Sequence, residues 1–328
     1  MQKYHFLVLE LGLPEASVPD DIASRCELTF GPSDRKMREE EIIEQIKGHD
    51  AVFFSSRDRV TGPILMAAEG LKLAIKFGAR PTNIDYGAAE SLGITVGWTP
   101  GANAHAVAEF ALFLTLSALR RVGRGLASMN RGEWRSPAHI GMDMKGATIG
   151  LIGFGAIGRI ANRLFRNMEA RTLVSDPNVP DALVRQGGAE PVDLETLLRE
   201  SDAVSLHCDL NSSSRHILND ARFAQMKPGA VVVNTARGDL IDEGALCRAV
   251  RDGKVAAAAL DVYSEEPPAM DCPLRRLDAI IKTPHIAARS LQALQNERFW
   301  ALRGAISLLD GERPDRMETL DPRRGRAR

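Results

Sequence analysis

The sequence predicts an α/β protein of two domains, each a doubly wound parallel sheet. Three observations carry this. From Ala147 onward, short apolar runs alternate with amphipathic stretches, the pattern of a parallel sheet covered on both faces. The residues before Gly101 repeat the theme on a smaller scale. The 328 residues suffice for two domains, at roughly 100–200 residues each.

In the second half the expected strands are "ATIGLIG", "RTLVSD", "AEPV", "DAVSLHC", "AVVVNTA", "AAALDV" and "AIIKTP", with helices in "GRIANRLFRNM", "DLETLLRES" and "DEGALCRAVRDG". In the first half they are "HFLVLEL", "ELTF", "AVFFSS" and "LKLAIKFG", with a helix in "REEEIIEQIKGH". Two further helices look like bridges between the domains. One starts at Asn103 as N-cap and is apolar nearly all round, which calls for cover by a second domain or a second subunit. The other is "SLQALQNERFWALRGAISLLDG", closed by Gly311 and Pro314. The tail "DPRRGRAR" lacks apolar periodicity and is expected to be disordered.

A hydrophobic fraction of 44% with 26% charged residues is that of a soluble protein with a full core. Lys plus Arg (42) against Asp plus Glu (43) leaves no global field to favour nucleic acid or an anionic membrane. No apolar run is long enough to span a bilayer, and the N-terminus lacks signal-peptide flanks. Cys26, Cys208, Cys247 and Cys272 form no C-x-x-C pair and read as reduced, cytoplasmic thiols. The seven histidines show no ligand spacing, so no metal site is expected.

Gly153, Gly155 and Gly158 stand in G-x-G-x-x-G spacing after a strand and at the opening of a helix. Asp176 answers them from the tip of the next strand. Such glycines let the backbone approach a pyrophosphate at the helix N-terminus. Asp176 accepts the adenosine ribose hydroxyls and repels a 2′-phosphate, which selects NAD over NADP.

Ligands of open parallel sheets bind beyond the carboxyl ends of the strands. Arg237 follows "AVVVNTA", Glu266 follows "AAALDV", and His285 follows "AIIKTP". Arg237 suits a two-point grip on a carboxylate. His285 is the proton donor or acceptor, and a neighbouring Glu266 favours its imidazolium form, with Glu265 as rival acid.

The motifs "LIGFGAIGRIA", "NTARGDLIDEGAL", "ALDVYSEEPP" and "TPHIA", with "NIDYGAAESLGITVGWTPGANAHAVAE" as a hinge segment, resemble the D-isomer-specific 2-hydroxyacid dehydrogenase family. The resemblance implies two Rossmann-like domains, the substrate domain discontinuous: residues 1–102 and 288–328 around an NAD-binding domain at 103–287. It implies a homodimer formed through the nucleotide domain, and the trio Arg237, Glu266 and His285. It further implies that Asp261 binds the nicotinamide carboxamide, that Ala156 and Ile157 meet the pyrophosphate, and that Cys208, Thr235 and Ala236 line the cofactor. The substrate is a small 2-hydroxy or 2-keto acid.

Two departures bear on function. Asp209 and Asn211 stand where the family usually has proline and threonine. In "FGARPTNID", Arg80 replaces a glycine of the substrate-carboxylate loop and Pro81 removes an N–H donor. Ala79, Arg80 and Arg57 are therefore candidate substrate contacts, the arginines inviting a second acid group or a polyol. The alternative places Arg80 in solvent or against Asp85. Rival functions on the same scaffold are an NAD-sensing corepressor without catalysis and a formate- or phosphite-type dehydrogenase.

Overall fold

Apolar runs of four or five residues become fully buried strands in both halves of the chain. The computed structural model describes residues 3–9, 18–32 and 34–321. The chain divides into two units, Met1–Asn103 with Leu291–Arg328, and Ala104–Ser290.

The smaller unit has five parallel strands, β1 (Tyr4–Val8), β2 (Cys26–Phe30), β3 (Ala51–Phe54), β4 (Leu73–Lys76) and β5 (Thr95–Trp98). A sixth, Glu318–Leu320, pairs antiparallel with β5 at the edge. Alternate residues of β3 serve opposite faces, as the period of two requires. Val52 and Phe54 join Leu7, Ile64 and Leu65 on one side. Phe53 joins Phe6 and Ile75 on the other, where Ala301, Leu302 and Ala305 of the helix Leu291–Leu309 close the core. The unit is thus built from both ends of the chain.

In the larger unit β6 (Thr148–Ile152), β7 (Arg171–Ser175), β8 (Glu190–Pro191), β9 (Ala203–Leu206), β10 (Ala230–Asn234), β11 (Val255–Leu260) and β12 (Ile280–Lys282) are all parallel. Their order is β12-β11-β10-β9-β6-β7-β8. The chain runs outward from β6 in one direction and then from β9 in the other. The crevice between the carboxyl ends of β6 and β9 is therefore the topological switch point where such sheets take ligands.

The helix Ala104–Leu119, read as a bridge, packs within the larger unit. It lies on its own unit's sheet, with Ala108, Leu114 and Ala118 against Ile149, Leu151, Val231 and Val233. Phe113, on the remaining face, is 54% exposed. Asn103 directs its side-chain amide to Glu297 Oε1 at 2.8 Å. Strand β5, the helices Tyr86–Ser91, Val122–Asn130 and Asp220–Gln225, and the strand Glu318–Leu320 were not expected. No described helix is long and apolar enough to cross a membrane. The expected disorder of the tail falls on residues 322–328, outside the described residues.

Candidate active site

The glycine loop is shaped by close approach. Gly153 has φ 101°, and a Cβ there would lie 2.6 Å from the Cys208 nitrogen and the His207 carbonyl carbon. A Cβ on Gly158 would lie 2.4 Å from the Gly153 oxygen. Both glycines are demanded by the chain itself. Gly155 is different: it caps the helix Ala156–Asn167, and nothing stands within 4 Å of where its Cβ would be. That open space at a helix N-terminus, beside exposed Ala156 and half-buried Ile157, suits a phosphate.

Asp176 lies just past β7. Its Oδ2 accepts the Phe154 N–H at 2.7 Å and its Oδ1 accepts the Asn178 N–H at 2.9 Å. The acid therefore braces the loop as well as facing the crevice. Across the crevice, Thr235 Oγ1 is buried with no hydrogen-bond partner among the described residues. An orphaned hydroxyl is costly unless a ligand completes it. Ala236 is half-buried, its N–H held by Asn234 Oδ1 at 3.0 Å. Burial pushes the half-exposed Cys208 thiol up to about 11. At the departing rim, Asn211 Oδ1 accepts from the backbone of Ser213 and Ser214 at 2.9 and 3.2 Å, so this turn is built by the side chain that stands in place of the family's threonine. The open helix end, the bracing carboxylate and the orphaned hydroxyl fit a dinucleotide.

The trio emerges at the carboxyl ends of β10, β11 and β12. His285 Nδ1 meets Glu266 Oε2 at 2.7 Å, and Glu266 Oε1 accepts the Tyr263 N–H at 3.1 Å. Glu265 is exposed and makes no such contact, so the choice between the two acids falls on Glu266. His285 has φ 54°, a left-handed conformation that L residues hold only under constraint. Arg237 is exposed and forms no ion pair among the described residues; its Nη1 donates to the Ala236 carbonyl at 2.6 Å. After it, Gly238 touches the next loop so closely that a Cβ would fall 1.9 Å from the Tyr263 carbonyl carbon. The missing side chain lets the Arg237 and Glu266 loops lie against each other.

The constraint on His285 comes from a residue to which the sequence assigned another role. Asp261 is fully buried. Its Oδ1 accepts from Ile286 N at 2.9 Å and from the Thr283 hydroxyl, and its Oδ2 accepts from Ala287 N at 2.8 Å. Three donors from one loop engage this carboxylate, so Asp261 braces the backbone that carries His285. Gly238, Tyr263 and Asp261 carry the geometry, and only a buried acid directly after "AAAAL" hinted at one of them.

In the smaller unit the loop after β4 holds Gly78 at φ 80°, with the Gly78 N–H on Thr99 Oγ1 at 3.0 Å. Lys76, buried in the sheet, donates to the carbonyls of Phe77 and Ala79 at 3.1 and 3.0 Å and so fixes the turn. Ala79 and Arg80 are exposed, and the Arg80 guanidinium stacks on Trp98 at 5.4 Å. Of the alternative's two placements for Arg80, its exposure agrees with solvent; no pair with Asp85 forms, and Asp85 Oδ1 caps the helix Tyr86–Ser91 by accepting from Ala88 N at 3.0 Å. Arg57 is exposed, its backbone carbonyl accepting from Lys36 at 2.8 Å.

Fold and site together define a dinucleotide-binding α/β protein with an acid-supported histidine at the strand ends. Residues 112–287 match the model described as D-isomer specific 2-hydroxyacid dehydrogenase, NAD binding domain. The chain is 40% identical to hydroxypyruvate reductase of Thermotoga maritima, over 78% of this chain and 84% of that one. It is 38% identical to D-3-phosphoglycerate dehydrogenase of Archaeoglobus fulgidus over 84% of this chain, and spans about half (52%) of that longer protein. The D-lactate dehydrogenase of Lactobacillus jensenii with NAD+ superposes with a TM-score of 0.81 at 26% identity, covering 94% of this chain and 98% of that one. The chain belongs to the D-isomer specific 2-hydroxyacid dehydrogenase family and carries its NAD-binding domain.

Proposed function

We propose that this protein interconverts a D-2-hydroxy acid and its 2-keto acid with NAD as redox partner. The observation that carries the reading is the 2.7 Å contact between His285 Nδ1 and Glu266, which leaves Nε2 available to exchange a proton. Arg237, with no carboxylate of its own, grips that of the substrate. Glu266 fixes the orientation of the imidazole ring. When bound, the nicotinamide supplies or accepts the hydride. Gly155, Ala156 and Ile157 receive the pyrophosphate, Asp176 the ribose hydroxyls, and Thr235, Ala236 and Cys208 line the remaining wall.

The substrate proposed is a hydroxy acid with a second anionic group or a polyol. Arg57 and Arg80 support this: both guanidinium groups are exposed and neither forms an ion pair among the described residues. Among the relatives the name D-3-phosphoglycerate dehydrogenase denotes such a two-anion substrate, whereas hydroxypyruvate reductase denotes a smaller one. A panel of 2-keto acids with NADH, followed at the nicotinamide absorbance, tests both levels. Arg80→Ala should lower kcat/KM at least tenfold for the best substrate, about 1.4 kcal/mol, and spare pyruvate. Preference for pyruvate or glyoxylate removes the second anion. NADH binding without turnover on any 2-keto acid points to a sensing protein, and turnover of formate or phosphite to the other rival.

A homodimer through the larger unit and a cytoplasmic setting complete the reading. Phe113, Leu126, Met129, Trp134 and Ile140 are all more than half exposed, an apolar set of the kind that a partner covers. The four cysteines are free, as a reducing compartment requires. Sedimentation velocity tests the dimer.

A further inference from the structure

At the amino ends of the strands in the larger unit, the end remote from the trio, lies a small, partly open cavity of about 50 Å³. Leu119, Arg121, Asp202, Lys227 and the first residues of β10 line it. Two cations and one carboxylate face this space, and the carboxylate is already engaged. Asp202 Oδ1 accepts from Lys227 Nζ at 2.8 Å, and its Oδ2 accepts from the Thr148 N–H at 2.8 Å. The Lys227 charge is thereby answered, and that of Arg121 is not. Arg121 Nη1 is buried without a hydrogen-bond partner, and no ion pair reaches this side chain among the described residues. Burial, with Arg124 nearby, disfavours its charged form, which holds the pKa below the usual arginine value.

The backbone singles out the same residue. Arg121 has φ 56° and ψ 31°, the left-handed conformation normally given to glycine, at the start of the helix Val122–Asn130. A long cationic side chain is kept where a glycine would be more comfortable, and it lines this cavity. The residue is half-buried, and its buried Nη1 has a donor that an anion in the cavity would answer. Strand β10 separates this point from the Asn234–Arg237 loop, so the two ends of one strand carry independent cationic groups.

We propose that this cavity binds one small oxyanion of the phosphate, sulfate or carboxylate class, held by Arg121 with Lys227 alongside. The same chemistry could reach the cavity from two sources, a free ion or an acidic side chain of a second copy of this chain. The proposal is the free ion.

The test uses the full chain saturated with NADH, melted in phosphate and in chloride of matched ionic strength. Phosphate at roughly ten times its Kd should raise Tm by about 3 °C. The rise should persist in Arg237→Gln, which removes the substrate grip, and should vanish in Arg121→Gln. Arg121→Gly accepts the left-handed backbone, so it should lose the response while melting no lower than wild type in chloride. A phosphate response unchanged in both Arg121 variants, or abolished by Arg237→Gln, overturns the proposal. So does a wild type indifferent to phosphate whose sedimentation changes in Arg121→Gln, since the occupant is then a second copy.

Discussion

Asp261 accepts the backbone N–H of Ala287 at 2.8 Å, and the loop that this bond closes is the one that holds His285 at φ 54°. The buried carboxylate thus acts on the histidine through the backbone. Asp261→Asn replaces an acceptor oxygen by an NH2 group that faces N–H donors. Removing charge-assisted bonds from a buried site costs about 2–4 kcal/mol. The variant should melt lower, and kcat should fall at least tenfold even where it remains folded. Unchanged kcat would show that the loop does not depend on this brace.

Arg237→Lys keeps the charge and loses the fork. A lost contact of about 3 kcal/mol lowers kcat/KM for the keto acid roughly a hundredfold. NADH affinity, measured by fluorescence titration, should stay near wild type. Near-normal turnover would remove Arg237 from the substrate.

Glu266 holds the His285 ring through the 2.7 Å contact at Nδ1. Glu266→Gln should lower kcat for keto-acid reduction at least tenfold, about 1.4 kcal/mol, with NADH affinity near wild type. Glu265→Gln should leave kcat where it is. A loss in the second variant and none in the first would transfer the role to Glu265.

Asp176 has two tasks, bracing Phe154 N and receiving ribose hydroxyls. NADH should be strongly preferred over NADPH. Asp176→Ala should narrow the preference mainly by weakening NADH, and should lower Tm slightly because Phe154 N loses its acceptor at 2.7 Å. Equal use of both cofactors by wild type would contradict this.

Burial pushes His207, beneath the glycine loop, from 6.5 down to about 4. Its Nε2 is 2.9 Å from Ser205 Oγ, and its Nδ1 is buried without a partner. The unfolded chain binds the proton more readily, so stability is full above pH 6.5 and declines as pH falls toward about 4. The loss amounts to about 3 kcal/mol. His207→Gln should flatten urea-derived stability across that window. A wild type equally stable at both ends would contradict the assignment.

The sheets and the glycine loop were legible because they are local: apolar runs of fixed length, and glycines at fixed spacing between strand and helix. The trio was legible because consecutive parallel strands end on one edge, which places Arg237, Glu266 and His285 together. Strand β5 was hidden inside a stretch read as hinge, where four residues interrupted by Gly97 give little β pattern, and Glu318–Leu320 is too short to signal itself. Asp261 was recognised as important, but its bracing of the His285 loop was not legible, since the donors lie 22 to 26 residues away across a strand. Which of solvent or Asp85 would take Arg80 was not legible, because helix capping by Asp85 engages that carboxylate.

The return of the chain to the smaller unit has a consequence for its biosynthesis. Phe6, Phe53 and Ile75 emerge early, but Ala301, Leu302 and Ala305, which cover them, are made only after all of Ala104–Ser290. At ribosomal rates the intervening span takes ~10–40 s. During that interval the nascent sheet presents a bare aromatic face, while the larger unit, contiguous in the chain, can fold as soon as it leaves the exit tunnel. Chaperone dependence should therefore be concentrated in the first hundred or so residues, and a ribosome-stalled chain ending before Leu291 should hold a folded nucleotide unit beside an unfinished one.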